Sequence, residues 1–185
     1  MNDPMLPLAG LSPVSGKAVV ARFDGGQLSS DAGVLVLREI TQRLGLAGRL
    51  AACVDDPRDQ NQIVHPLAAL IEFRMLMIAS GYEDGNDATA LRSDPAFKLA
   101  QGVLPSGPDL ASQSTISRLE NLPAIPSLLC MEQALIDFYC ASYARVPKRI
   151  VLDLDDTFDA VHSCQQLRLF NAHYDEYVSG APLTP

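Results

Sequence analysis

The sequence predicts an α+β fold: a mainly α-helical N-terminal domain followed by the first strands of an α/β domain. Three observations carry that expectation. Apolar residues recur at helical spacing over about 120 residues. The most apolar run, "LAALIEFRMLMIASGY" (67–82), is long enough for a buried helix and too long for one strand. The first continuous β-branched run, "RIVLDL", comes only at 149–154.

With 185 residues, 48% of them hydrophobic, the chain can bury one core and begin a second domain. The net charge is −8. Residues 1–147 hold 11 bases against 16 acids, and residues 148–185 hold 3 against 6, so neither part has the basic surplus of a nucleic-acid binder. Charge alone therefore argues against DNA, although metal ions at an acid cluster would offset part of it. Cys53, Cys130, Cys140 and Cys164 form no Cys-x-x-Cys pair and the three histidines are scattered, which predicts reduced, mostly buried thiols in a cytosolic protein. The run at 67–82 contains Glu72 and Arg74 and falls short of the ~20 residues of a membrane span.

Along the chain, residues 1–16 lack periodicity and predict a flexible lead-in. "KAVVARFDGG" (17–26) reads as a strand ending in a Gly-Gly turn. In "SSDAGVLVLREITQRLG", Ser29 or Ser30 caps an amphipathic helix with apolar residues at 34, 35, 37, 40 and 44, and Gly45 stops it. "DDPRDQNQIVHP" (55–66) is a polar connector into the buried helix. "GYEDGNDATALRSDPAFKLAQG" then predicts two short helices, with Asn86 or Asp87 capping the first. A loop at 104–113 precedes the short helix of "STISRLEN". The long helix at 126–144 is apolar at 128, 131, 135 and 138 on one face and at 129, 136 and 139 on another, so it needs cover on more than one side. "RIVLDL" reads as a buried strand.

The richest chemistry follows that strand, in "IVLDLDDTFDAVH". Asp153, Asp155, Asp156 and Asp159 sit at or past its C-terminal end, where open α/β sheets bind ligands. In an extended strand Asp153 and Asp155 share a face while Asp156 points away. Capping acids on a solvated turn would explain one of them, not four. "VLDLDDT" resembles the opening motif of haloacid-dehalogenase-like phosphotransferases, which would make Asp153 the nucleophile, Asp155 the general acid and Thr157 a phosphate ligand. That chemistry also needs a later lysine, and none follows Thr157. The alternative is a metal-dependent nuclease or strand transferase on a ribonuclease-H-like sheet, whose first-strand carboxylate bridges two Mg²⁺ ions.

The succession "FDGGQLSSDAGVLVLREI", "GYEDGNDATALRSDPAFKLAQG", "SQSTISRLEN", "RIVLDLDDTFDAVH" and "QQLRLFNAHYDEY" resembles the N-terminal part of bacterial insertion-sequence DDE transposases of the 1380 type, over about residues 17–177. The resemblance implies a mainly helical N-terminal domain (17–147) and the start of a ribonuclease-H-like DDE domain (148–177). It implies transposition by phosphodiester hydrolysis and strand transfer, two Mg²⁺ ions, insertion-sequence ends and target DNA as partners, a homodimer as a further partner, no membrane, and a location in the bacterial cytoplasm at the nucleoid. The first acid of the family's Asp, Asp, Glu triad falls on Asp155, with Asp153 as its alternative and Asp156 third. After "NAHYDEY" the family continues into strands bearing the second Asp and the Glu, whereas here "VSGAPLTP" (178–185) follows. The chain is therefore expected to be a truncated, catalytically incomplete copy, either a DNA-binding or self-associating competitor of an intact transposase or a fragment without a role.

DNA-contact expectations fall on two segments. The helix of "DLASQSTISRLEN" resembles a helix-turn-helix recognition helix, capped by Ser112 or Ser114, with Gln113, Thr115, Ser117 and Arg118 outward and Ile116 and Leu119 inward. Its bland reading is a small packing helix. In "QQLRLF", Gln165, Gln166 and Arg168 could approach phosphate, and the same residues equally read as an ordinary second strand. His162 and Cys164 are two isolated ligands and make no zinc site.

Overall fold

The computed structural model describes residues 6–22, 25–26, 28–59, 61–151, 168–172 and 175–179. The chain divides into two compact units, Met1–Ala144 and Arg145–Pro185. The first is helical: α1 (Val34–Leu44), α2 (Leu46–Ala51), α3 (Leu67–Ala79), a 3₁₀ turn at Gly85–Asp87, α4 (Ala88–Leu91), α5 (Pro95–Ala100), α6 (Gln113–Glu120) and α7 (Ile125–Ala141). Its strands β1 (Leu6–Pro7) and β2 (Val20–Ala21) pair antiparallel. In the second unit β3 (Arg168–Asn171) and β4 (Glu176–Ser179) form an antiparallel hairpin in which Leu169 faces Val178 and Phe170 faces Tyr177. The architecture is thus mainly helical with two small hairpins, and no larger sheet forms among the described residues.

Helix α3 is the centre of the first unit. Leu67, Leu70, Ile71, Phe73, Leu76 and Met77 are all buried, and α1, α2 and α6 pack on it. Its two charged residues are used as ties. Glu72 accepts a hydrogen bond from Thr41 of α1 at 3.0 Å. Arg74 pairs with Glu120 of α6 at 2.6 Å and donates to the Tyr82 and Glu83 carbonyls. Phe97 of α5, fully buried, meets Phe73 edge-on at 5.9 Å and Tyr82 at 6.1 Å, where such pairs add to plain area burial.

Several expectations change on contact with the structure. The helix after "SSDAG" starts at Val34 with Gly33 at its cap and no side-chain cap bond. Ser29 instead receives the Asp31 N–H and donates to Asp94, which itself caps α5 through the Ala96 and Phe97 N–H groups. Gly45 does stop α1, in the left-handed conformation (φ 61°) that a residue without Cβ adopts freely. On α1 the buried face is Val34, Leu35 and Arg38, whereas Ile40 and Leu44 are exposed. Arg38 takes the inner position because residues 11–17 lie against this helix and their carbonyls need donors. Arg38 is 3% exposed, and its guanidinium donates to the Ser12 and Pro13 carbonyls. Neighbouring Glu39 accepts the Ser12 hydroxyl and N–H, which holds its carboxyl below the usual range. Part of the lead-in read as flexible is therefore packed, with Val14 buried in the core.

Among the described residues, helix α7 is covered on one side. Met131 and Ala134 reach the core, Arg49 of α2 sits over the Phe138 ring at 5.8 Å, and Leu128, Leu129, Leu135, Ile136 and Tyr139 are exposed. The thiols are not as expected: Cys53 and Cys130 form a disulfide that ties α7 to the end of α2, Cys140 is exposed, and Cys164 lies outside the described residues. "RIVLDL" is described only as far as Val151. Ile150 and Val151 are exposed and not in a strand, in place of the expected buried strand, because no described residue covers them. The segment after "NAHYDEY", expected to be atypical, continues as β4 to Ser179.

Two outcomes follow. Phe97→Ala removes a ring shared by α3, α5 and the 82–83 loop, and should lower the unfolding free energy by about 3–5 kcal/mol in urea titrations. The Cys53–Cys130 link spans 77 residues of sequence. A reductant should lower the melting temperature of the wild-type chain, by roughly 2–4 kcal/mol in stability terms, and leave that of Cys53→Ser unchanged.

Candidate nucleic-acid interface

Helix α6 packs through Ile116, fully buried, and Leu119 against α3, α4 and the 3₁₀ turn, so the inward face is the expected one. Gly85 lies so near that a Cβ there would stand 3.3 Å from Glu120 Oε2 and 3.5 Å from Ile116 Cγ2. Ser112 takes the cap position, accepting the Thr115 and Ile116 N–H groups through its carbonyl. Its hydroxyl contacts those of Ser114 and Thr115 at 3.1 Å. On the outward side Ser114 and Arg118 are exposed, one turn apart, while Gln113, Thr115 and Ser117 are half-buried. The loop from α5 to α6 covers residues 101–112, far longer than the three- or four-residue turn of a helix-turn-helix, so α5 and α6 do not form that motif. Buried Lys98 fastens this loop by donating to the Pro105 and Gly107 carbonyls and pairing with Asp109.

Beside α6 opens a groove of about 450 Å³, lined by Arg58, Gln62, Val64 and His65 of the connector and by Thr115 and Arg118 of α6. The connector is shaped by its own polar groups. Arg58 grips Asp56 with two nitrogens at 2.7 Å and donates to the His65 carbonyl. That grip lowers the Asp56 carboxyl below its usual value and raises the Arg58 guanidinium. Asp59 accepts bonds from the Asn61 backbone and side chain and from the Gln62 side chain. Burial pushes the His65 imidazole below its ordinary 6.5, and the positive charges of Arg92 and Arg58 push it the same way.

Not all the expected site residues meet here. Thr115 and Arg118 do, and Gln113 and Ser117 lie on the same helix away from the groove lining. Arg168 is in β3 of the other unit. Asp153, Asp155, Asp156, Gln165 and Gln166 lie outside the described residues, as do Thr157, Asp159 and His162. Among the described residues no three His, Cys, Asp or Glu side chains are grouped to hold a metal. No helix among them is long and apolar enough to cross a membrane. Arg58, Gln62 and His65 were missed by sequence reasoning, because a polar connector without periodicity gives no sign of the helix it will face.

The family model for the transposase DDE domain group 1 matches residues 11–183. The chain belongs to that family. No curated protein and no solved structure matches it. Transposases of this family act on DNA and generally use divalent metal ions.

The neutral His65 gives a pH signature. In the unfolded chain the imidazole titrates near ~6.5, and in the folded transposase at a lower pH. As pH falls below ~6.5 the unfolded state takes up the proton first, so stability should drop through that window and show no His65 contribution above it. Urea midpoints between about pH 7.5 and 5.5 should slope for the wild type and be flatter for His65→Asn.

Proposed function

We propose that the chain serves DNA transposition as an insertion-sequence transposase of the 1380 type, with the helical unit contacting DNA through α6 and the acids after "RIVL" supplying the first metal carboxylate. Asp155 takes that role, with Asp153 as its alternative and Asp156 as the third candidate; Mg²⁺ held there would activate the attacking oxygen and stabilise the leaving one. The observation that supports DNA contact is the state of Arg118. Arg38, Arg58, Arg74, Arg92 and Lys98 are each paired with a carboxylate. Arg118, like Lys17, Arg43 and Arg49, is exposed and has no such partner among the described residues, and of these four it is the one that lines the groove beside α6. Ser114 and Ser117 flank it and can donate to phosphate oxygens, while Gln113 and Thr115 approach from the helix start. Gln166 and Arg168 of the second unit are proposed as further backbone contacts. In this reading the protein works in the bacterial cytoplasm at the nucleoid.

The test is duplex binding across a salt series. Arg118→Ala should weaken binding to an element-end duplex roughly three- to tenfold and reduce the salt slope by about one. Unchanged affinity with an unchanged slope removes α6 from the interface.

A further inference from the structure

The groove beside α6 contains more than Arg118 requires. Two segments far apart in sequence, 58–65 and α6, form its walls. On the connector wall the Arg58 guanidinium forks onto Asp56 and donates to the His65 carbonyl, which ties Arg58 to the far end of the segment. The acid within the groove, Asp59, is already engaged by three donors from Asn61 and Gln62. Arg118, at the opposite wall, faces the space without a carboxylate. Ile63 and Val64 add apolar surface between these polar groups.

We infer that this groove seats one phosphate of a DNA duplex backbone together with its deoxyribose. Arg118 takes the phosphate through charge-assisted hydrogen bonds, the Thr115 hydroxyl and the Gln62 amide supply neutral ones, and Ile63 and Val64 lie against the apolar sugar. The groove is of a size for a sugar-phosphate and has no built-in anion to repel it beyond the engaged Asp59. Duplex rather than single-stranded DNA is favoured because no described Phe, Tyr or Trp lines the groove, and single-strand sites stack bases on such rings. This assignment rests on the reading that α6 contacts DNA, and adds the connector as the second half of the contact.

The experiment uses the full chain and a fluorescein-labelled short mixed-sequence duplex, followed by anisotropy. Val64 is 82% exposed at the groove, so Val64→Glu places a negative charge there with little risk to folding. It should weaken duplex binding about fivefold by repelling the phosphate. Val36→Glu, an exposed position on α1, is the control and should bind as the wild type. Thr115→Val should weaken binding less than Val64→Glu while keeping the salt slope, since it removes a neutral donor. If Val64→Glu retains the wild-type urea midpoint and affinity while Arg118→Ala weakens binding, α6 contacts DNA elsewhere and the groove assignment is overturned. A labelled single strand that binds as tightly as the duplex and loses as much to Val64→Glu overturns the duplex assignment. Absence of any DNA binding by the wild-type chain overturns the α6 reading, and the groove with it.

Discussion

Helix α3 has no polar face, and the first unit is arranged to cover it. A helix that is apolar all round must be enclosed to remove its surface from water. Here α1, α2 and α6 pack on it and the Phe97 ring closes over Phe73. Enclosure makes any charge on the helix costly unless it is paired. Glu72 and Arg74 meet that condition, and in doing so they set where neighbouring elements sit. Arg74 does most, since one guanidinium fixes α6 through Glu120 and the 82–83 loop through two carbonyls. The position of α6, and with it the direction of Arg118, follows from burying α3.

The ordered sequence blocks that carry the family resemblance meet in space as joints of this enclosure. Ser29 and Asp31 from the first block bond to Asp94 and Tyr82 from the second. The Tyr82 hydroxyl is held above its usual pKa mainly by that bond to Asp31, as expected of a phenol donating to a carboxylate. Gly85 of the second block lies against Ile116 and Glu120 of the third. In one dimension these blocks carry the family resemblance, and in space their geometry is that of connectors between helices. The side chains left over once the joints are made, Ser114 and Arg118 on α6 among them, are the better candidates for contact with another molecule.

How much was legible in the sequence depended on whether a residue's role was local. The buried run at 67–79, the Gly45 stop and the inward pair Ile116 and Leu119 follow from period and local backbone preference, and all three stand in the structure. The burial of Arg38 was not legible, because its partners are carbonyls 25 and 26 residues earlier in the chain. Helical periodicity on α1 placed Ile40 and Leu44 inward instead. The groove was illegible for the same reason, being made by a connector and a helix that share no pattern. The disulfide was missed because spacing rules describe metal sites and local pairs, whereas Cys53 and Cys130 are brought together by the packing of α7 on α2. The acids at 153–156 were legible as chemistry through the resemblance, and lie outside the described residues.

An acidic protein that acts on DNA has to solve a problem of local rather than total charge. Net charge governs long-range attraction, but beyond a Debye length of about 8–10 Å salt removes most of it. What counts at contact is whether a cation is free when the phosphate arrives. In the first unit some of the carboxylates are engaged by the protein's own cations: Asp56 by Arg58, Asp109 by Arg92 and Lys98, Glu120 by Arg74. Asp59 and Asp84 are turned onto neighbouring donors of their own loops. Pairing of this kind leaves the net charge unchanged and sets which groups act locally. Near α6, Glu120 is held by Arg74 and Asp59 by donors of its own loop, while Arg118 has no carboxylate partner among the described residues.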